Sequence, residues 1–245
     1  MSRPKKIRNN PFKAHIIDCI QRFLQNTPNT DAALLGNFDE LGLSQVNKTK
    51  IMMKVINDNL NKEFVRVIFD DLPDKKQQYL VMKYKKDYSA VKIRVQLDVS
   101  YDCQCRWNNE IIQSIENMMF YYLTKEDLLS YHKVQSIISI LDMQLYFYEQ
   151  ADVIKHIDLA YMNRLCQLQQ HYQAIYRQLI AALESDYSSI TATLLRHRRD
   201  KYYTKRELQE YCFCGPRSLK NVIDKFFAKI QDDYQAIESI VAFPS

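Results

Sequence analysis

Thr204-Lys205-Arg206-Glu207-Leu208-Gln209-Glu210-Tyr211-Cys212-Phe213-Cys214-Gly215-Pro216-Arg217-Ser218-Leu219-Lys220-Asn221-Val222-Ile223 is the stretch on which the reading of this chain turns. Thr204 and Glu207 have the spacing of a capping box, where hydroxyl and carboxylate each accept from the other residue's backbone N–H, so a helix begins there. Leu208 and Cys212 lie one turn apart and face inward. The helix cannot run on through Gly215-Pro216, because proline supplies no N–H and clashes with the preceding turn. Pro216 instead suits the first turn of a new helix. Leu219, Val222, Ile223, Phe226 and Phe227 are the apolar stripe of that helix. The stretch therefore predicts two helices joined by a tight turn, a helix-turn-helix.

The rest of the chain is of the same kind. Its 245 residues are 47% hydrophobic and 26% charged, with 3 glycines, at Gly36, Gly42 and Gly215. That suffices for a core and leaves no glycine-rich phosphate loop; GxGxxG, GxxxxGK(S/T) and GxSxG are all absent. Apolar spacing predicts helices over 14–25, 31–41 and 44–69. Another follows Leu72-Pro73-Asp74, with Tyr79, Leu80, Met82 and Tyr84 apolar. Ser89 caps a short helix that turns Ile93 and Leu97 inward, and Asp98-Val99-Ser100 is a turn. The next helix carries Trp107, Ile111, Ile112 and Ile115 toward Tyr122. Thr124 and Asp127 form a capping box that should open a helix reaching Tyr148. A helix over 151–183 follows, in which Tyr161, Leu165, Leu168, Tyr172, Ile175, Leu179 and Ala182 form a heptad seam. Such a seam can join two copies as a homodimer or pack against the preceding helix; three repeats favour the second.

Charge adds a second layer. Arg3, Lys5, Lys6, Arg8 and Lys13 fill the first 13 residues without an acid and account for the whole net charge of +5. From Lys75 to Arg94 seven bases face one acid, Asp87. From Arg196 to Arg206 six bases face one acid, Asp200, and the intervening 126–158 is acidic. This reads as two binding faces on a spacer. The predicted architecture is all-α: a basic arm (1–13), a helical region ending in a degenerate helix-turn-helix (14–122), a helical linker or dimerisation segment (123–187) and a C-terminal helix-turn-helix (188–245). The two lobes are thus joined by long amphipathic helices.

In a helix-turn-helix the second helix enters the DNA major groove with its N-terminal residues. The side chains left outward there are Arg217, Ser218, Lys220 and Asn221; arginine pairs with guanine and asparagine with adenine. Arg196, Arg198, Arg199, Lys201 and Lys205 are expected to hold phosphates. The segment resembles the helix-turn-helix of bacterial transcription regulators, with the pattern T-x-x-E-L-x-x-x-x-x-V-S-x-R-T-L-x-x-x-I. Thr204, Glu207, Leu208, Arg217, Leu219 and Ile223 match it, while Cys214, Gly215 and Ser218 stand at its Val, Ser and Thr places. It is similar to the domains of Mga-like regulators, among others. The resemblance covers about 20 residues. It implies a cytoplasmic DNA-binding regulator of transcription in a bacterium or one of its mobile elements.

Leu72-Pro73, Leu80, Tyr84, Ser89, Ile93, Leu97, Val99 and Ser100 resemble the domain with which sigma factors read the upstream promoter element. This segment also aligns with the C-terminal one at an offset of 115 residues, pairing Ser89 with Thr204, Ile93 with Leu208 and Leu97 with Cys212. The alignment places Gln104 and Asn108 where apolar residues belong. Either the helix is one residue out of register, packing Cys103 and Trp107 instead, or this copy has lost DNA reading. Tyr101, Gln104, Arg106 and Asn109 are its candidate DNA contacts.

No catalytic, metal or cofactor site is expected. The histidines lack metal-ligand spacing, and Asp70-Asp71 and Asp232-Asp233 are adjacent acids that diverge on a helix. Residues two apart on a helix point to nearly opposite sides, so Cys103/Cys105 and Cys212/Cys214 do not suit one metal and read as buried apolar thiols. The N-terminal residues hold no leader-like apolar run, and no stretch has the length of a membrane span, so reduced thiols and a cytoplasmic protein are expected. Double-stranded DNA is the predicted partner. The competing reading is a non-catalytic adaptor that binds RNA polymerase or another regulator through its Tyr-rich helices.

Overall fold

The computed structural model describes residues 11–26, 45–150, 159–184, 190–200 and 204–241. All regular structure among them is helical. We number the helices α1 (Pro11–Gln25), α2 (Gln45–Asp70), α3 (Asp74–Leu80), α4 (Ala90–Leu97), α5 (Tyr101–Met119), α6 (Tyr131–Gln150), α7 (Leu159–Glu184), α8 (Ile190–Asp200), α9 (Lys205–Tyr211) and α10 (Pro216–Val241). A π-turn over Val81–Lys85 continues α3. The helix expected over 31–41 and residues 1–10 of the basic arm lie outside the described residues. Positions 11–13, which the charge pattern assigns to that arm, are helical in α1.

Local signals place most helix ends. The Ser89 hydroxyl accepts from Lys92 N and the Ser100 hydroxyl from Cys103 N, each satisfying one of the amide donors a helix start leaves over. Asp98 takes the left-handed conformation (φ 50°) between them. The Thr124–Asp127 box also forms, with Asp127 N donating to Thr124 Oγ1 and Thr124 N to the Asp127 carboxylate. It opens only a 3-10 turn, Asp127–Leu129. The α-helix waits until Tyr131, where the Ser130 hydroxyl accepts from Lys133 N (3.4 Å), while the second Asp127 oxygen accepts from Lys133 Nζ.

One apolar cluster runs from Ile16 to Val241, with α6 and α7 at its centre and α10 laid along α7. The heptad seam lies inside this core: Leu165, Leu168, Tyr172, Ile175 and Leu179 are each buried against their own chain. The seam therefore offers no free surface for the homodimer that its spacing allows. Tyrosine hydroxyls tie the helices together. Tyr122 meets Tyr234 at 2.8 Å, Tyr131 meets Tyr176 at 2.6 Å, and buried Gln144 joins Tyr121, Tyr148 and Tyr161. Burial removes water from these groups, so each must find a protein partner. Among the described residues no helix is long and apolar enough to cross a membrane.

Candidate nucleic-acid interface

The C-terminal pair α9–α10 follows from its sequence step by step. Glu207 N donates to Thr204 Oγ1 (3.2 Å) and Thr204 N donates to the Glu207 carboxylate (2.7 Å), completing the capping box. Leu208 of α9 and Leu219 of α10 meet Leu194 of α8 in a small apolar cluster. Cys214, Val222 and Ile223 pack around it. Farther along α10, Phe226, Ile230, Tyr234, Ile237 and Val241 anchor the helix in the main core. Leu219 thus fixes the rotation of the first turns of α10. Arg217, Ser218, Lys220 and Asn221 are left exposed. Among the described residues neither Arg217 nor Lys220 has an ion-pair partner, and the first turn of α10 carries no acid. The partial positive charge of a helix N-terminus adds to theirs.

The turn between the two helices holds Phe213 in the left-handed region (φ 48°) with 97% of its surface exposed. A bulky side chain there is strained, at about 1–2 kcal/mol, and this one gains no packing in return. Phe213→Gly should raise stability by about 1 kcal/mol. A urea midpoint at or below that of the parent would contradict this account of the turn.

The expected phosphate clamp is less uniform. Arg196 is half-buried and donates to the Leu183 carbonyl (3.2 Å), tying α8 to the end of α7, so it is a structural link rather than a solvent-facing cation. Arg198 and Arg199 belong to α8, but their side chains, like all of Lys201, lie outside the described residues. Lys205 is exposed and pairs with Glu126 at 2.8 Å, and Arg206 pairs with Glu210. Surface pairs of this sort hold about 1 kcal/mol or less and yield to a phosphate competitor.

The helix pair α4–α5 repeats the geometry of α9–α10 at the same offset of 115. The caps Ser89 and Thr204, the left-handed Asp98 and Phe213, and the second-helix starts Tyr101 and Pro216 all correspond. The buried positions correspond too: Ile93 with Leu208, Gln104 with Leu219, Ile111 with Phe226 and Ile115 with Ile230. The register is therefore not shifted. Gln104 is only 4% exposed and donates to the Ala90 carbonyl (3.1 Å), so it is no DNA contact. Its length and amide let it fill a leucine's place with its donor satisfied. Trp107 packs against the core edge-on to Tyr79 rather than replacing Asn108. Tyr101, Arg106 and Asn109 are exposed, as expected. The residues equivalent to Arg217, Lys220 and Asn221 are Asp102, Cys105 and Arg106. The first pair thus presents an acid where the second presents an arginine.

Other expected chemistry sorts as follows. Cys19 alone of the six thiols is buried, and burial pushes its pKa up to about 11; Cys105 is exposed and the rest are half-buried. The reading of the two C-x-C pairs as buried thiols is thus corrected. Cys103 and Cys105 belong to α5, and Cys212 and Cys214 to the turn between α9 and α10. His171 Nδ1 lies 2.9 Å from Asp233, linking α7 to α10. That pairing across 62 residues was invisible in the spacing. No protein-family model matches the chain, and comparison with curated proteins and with solved structures gives no match.

Proposed function

We propose that the chain is a sequence-specific DNA-binding regulator of transcription that reads base edges with the first turns of α10. One observation carries this reading: Arg217, Ser218, Lys220 and Asn221 stand exposed at a helix start whose rotation Leu219 fixes, with no carboxylate on either cation among the described residues. Bidentate contacts to guanine and adenine need that combination of rigid backbone and free polar tips. Lys205, Arg198, Arg199 and Lys201 supply the phosphate contacts. The acid at Asp102 makes the first helix pair a poor partner for phosphates by comparison.

Selection of bound fragments from a genomic DNA pool supplies the cognate site, and two variants test the roles. Arg217→Ala should cost about 1–3 kcal/mol on that site and relax base choice. Arg198→Ala should weaken all duplexes alike and flatten the salt slope by about one unit. Equal losses on cognate and random DNA for Arg217→Ala would sink the assignment. The adaptor reading draws on the exposed Phe213 and Tyr211 beside the same turn. A protein that neither shifts random duplex at low salt nor binds heparin would favour it.

A further inference from the structure

The α4–α5 pair differs from its C-terminal counterpart at two inward positions: Gln104 replaces Leu219 and Asn108 replaces Ile223. Amides at apolar positions lower stability unless their groups are paired. What they build is a cavity of about 380 Å³, within the size range of small-molecule sites. Its lining includes Tyr79, Tyr101 and Tyr88, the last with Lys92 Nζ 3.4 Å over its ring. Lys83 from the π-turn lies at its side, with Nζ 2.7 Å from Asn108 Oδ1 and 3.0 Å from the Tyr79 hydroxyl. The Tyr84 hydroxyl also donates to Asn108 Oδ1, at 2.6 Å. These donors fix the amide's orientation, and Asn108 Nδ2 then has no partner among the described residues.

No Asp or Glu lines the cavity, and Lys83 has no carboxylate partner among the described residues. The charged and titratable groups felt at Lys83 are Cys105 and a second cation, Lys13 of α1. Burial lowers the Lys83 pKa, as it must for a cation held from water without a counter-ion. A half-buried ammonium held by neutral partners alone, beside an amide whose N–H groups meet no partner among the described residues, suits an anion. Aromatic walls add a preference for a flat ring.

We propose that this cavity binds a small planar anion, a ring bearing a carboxylate or phosphate group, with Lys83 and Asn108 on the anionic group and Tyr79 and Tyr101 beside the ring. The site is independent of the DNA reading of α10.

Trp107 is the single tryptophan, 6.0 Å from the Tyr79 ring, so its emission reports on the cavity. The full chain is titrated with benzoate, adenosine 5′-monophosphate and inorganic phosphate, with calorimetry in parallel. Saturable binding of benzoate or the mononucleotide is expected, at least tenfold tighter than inorganic phosphate. Lys83→Met should lose at least tenfold in affinity while its melting temperature equals or exceeds the parent's, since an unpaired charge has been removed. Tyr101→Ala, at an exposed wall, should weaken the ring-bearing probes and leave inorganic phosphate unchanged. Absence of saturable binding by both ring-bearing probes overturns the proposal, as does unchanged affinity in Lys83→Met. So does a Lys83→Met variant whose one defect is weaker binding of random duplex, which would place Lys83 on a DNA backbone.

Discussion

Lys133→Met is expected to lower folding stability by about 3 kcal/mol, the low end of the cost of breaking a buried ion pair. Lys133 is 8% exposed, and its Nζ lies 2.7 Å from Asp71 and 2.6 Å from Asp127. Methionine keeps the volume and removes the charge, so two carboxylates are left facing each other beneath α6. They border a cavity of about 530 Å³, and its access to water keeps the penalty from the upper end. For a chain this size the melting temperature should fall by about 6–12 °C.

The pH dependence separates charge from packing in that loss. Burial alone would raise the Asp127 pKa, but Lys133 outweighs it and holds the carboxyl below its ordinary 3.8. Burial alone would lower Lys133, but Asp127 and Asp71 hold it above its ordinary 10.5. The depressed carboxyl contributes stability that is present above 3.8 and lost as pH falls through its folded value. The raised ammonium contributes stability that is present below 10.5 and lost as pH rises through its folded value. The parent cluster is accordingly flat across neutral pH. In Lys133→Met no cation offsets the burial of the Asp127 carboxyl, which then rises above its ordinary value, so the variant should regain stability from pH 7 to pH 5. Urea melts at the two pH values check this. A deficit equal at both would assign the loss to packing, and Asp127→Asn in the same background should recover part of it.

Tyr172→Ala should cost about 3–5 kcal/mol, as removal of a large core side chain does. Tyr172 is fully buried in the middle of α7, and its hydroxyl donates to the Tyr121 carbonyl (2.7 Å) and accepts from Leu123 N (3.2 Å). Those backbone groups belong to the turn that ends α5, where Tyr121 itself is left-handed (φ 58°). Tyr172→Phe isolates the hydroxyl: the ring stays, two buried backbone groups lose their partner, and about 1–3 kcal/mol should go. Denaturant midpoints for the two variants give the split. A Phe variant as stable as the parent would mean that the turn holds without the clamp.

Helix content, most helix starts and the Gly-Pro corner were legible because their causes are local. A serine or threonine beside an amide three residues on caps a helix wherever the chain goes, as at Ser89, Ser100 and Thr204. The exposed flank of α10 was legible for the same reason, since the apolar stripe leaves those positions over. The candidate ligand cavity was not. Its signal, two amides at apolar places, was present at Gln104 and Asn108, but its meaning depended on Lys83, 25 residues from Asn108.

The sequence by itself determined an all-helical chain, the two capped helix pairs and the residues each turns outward, because hydrogen bonds within a few residues and the helical repeat set these. Tertiary structure alone decided that the heptad seam is internal, that Lys133 draws Asp71 and Asp127 together, and that Gln104 points inward while Arg217 stays free. The physical reason is that a buried polar group must find a partner wherever the fold brings one. Tyr172 finds the turn at Tyr121 from 51 residues away, and no local pattern carries that distance.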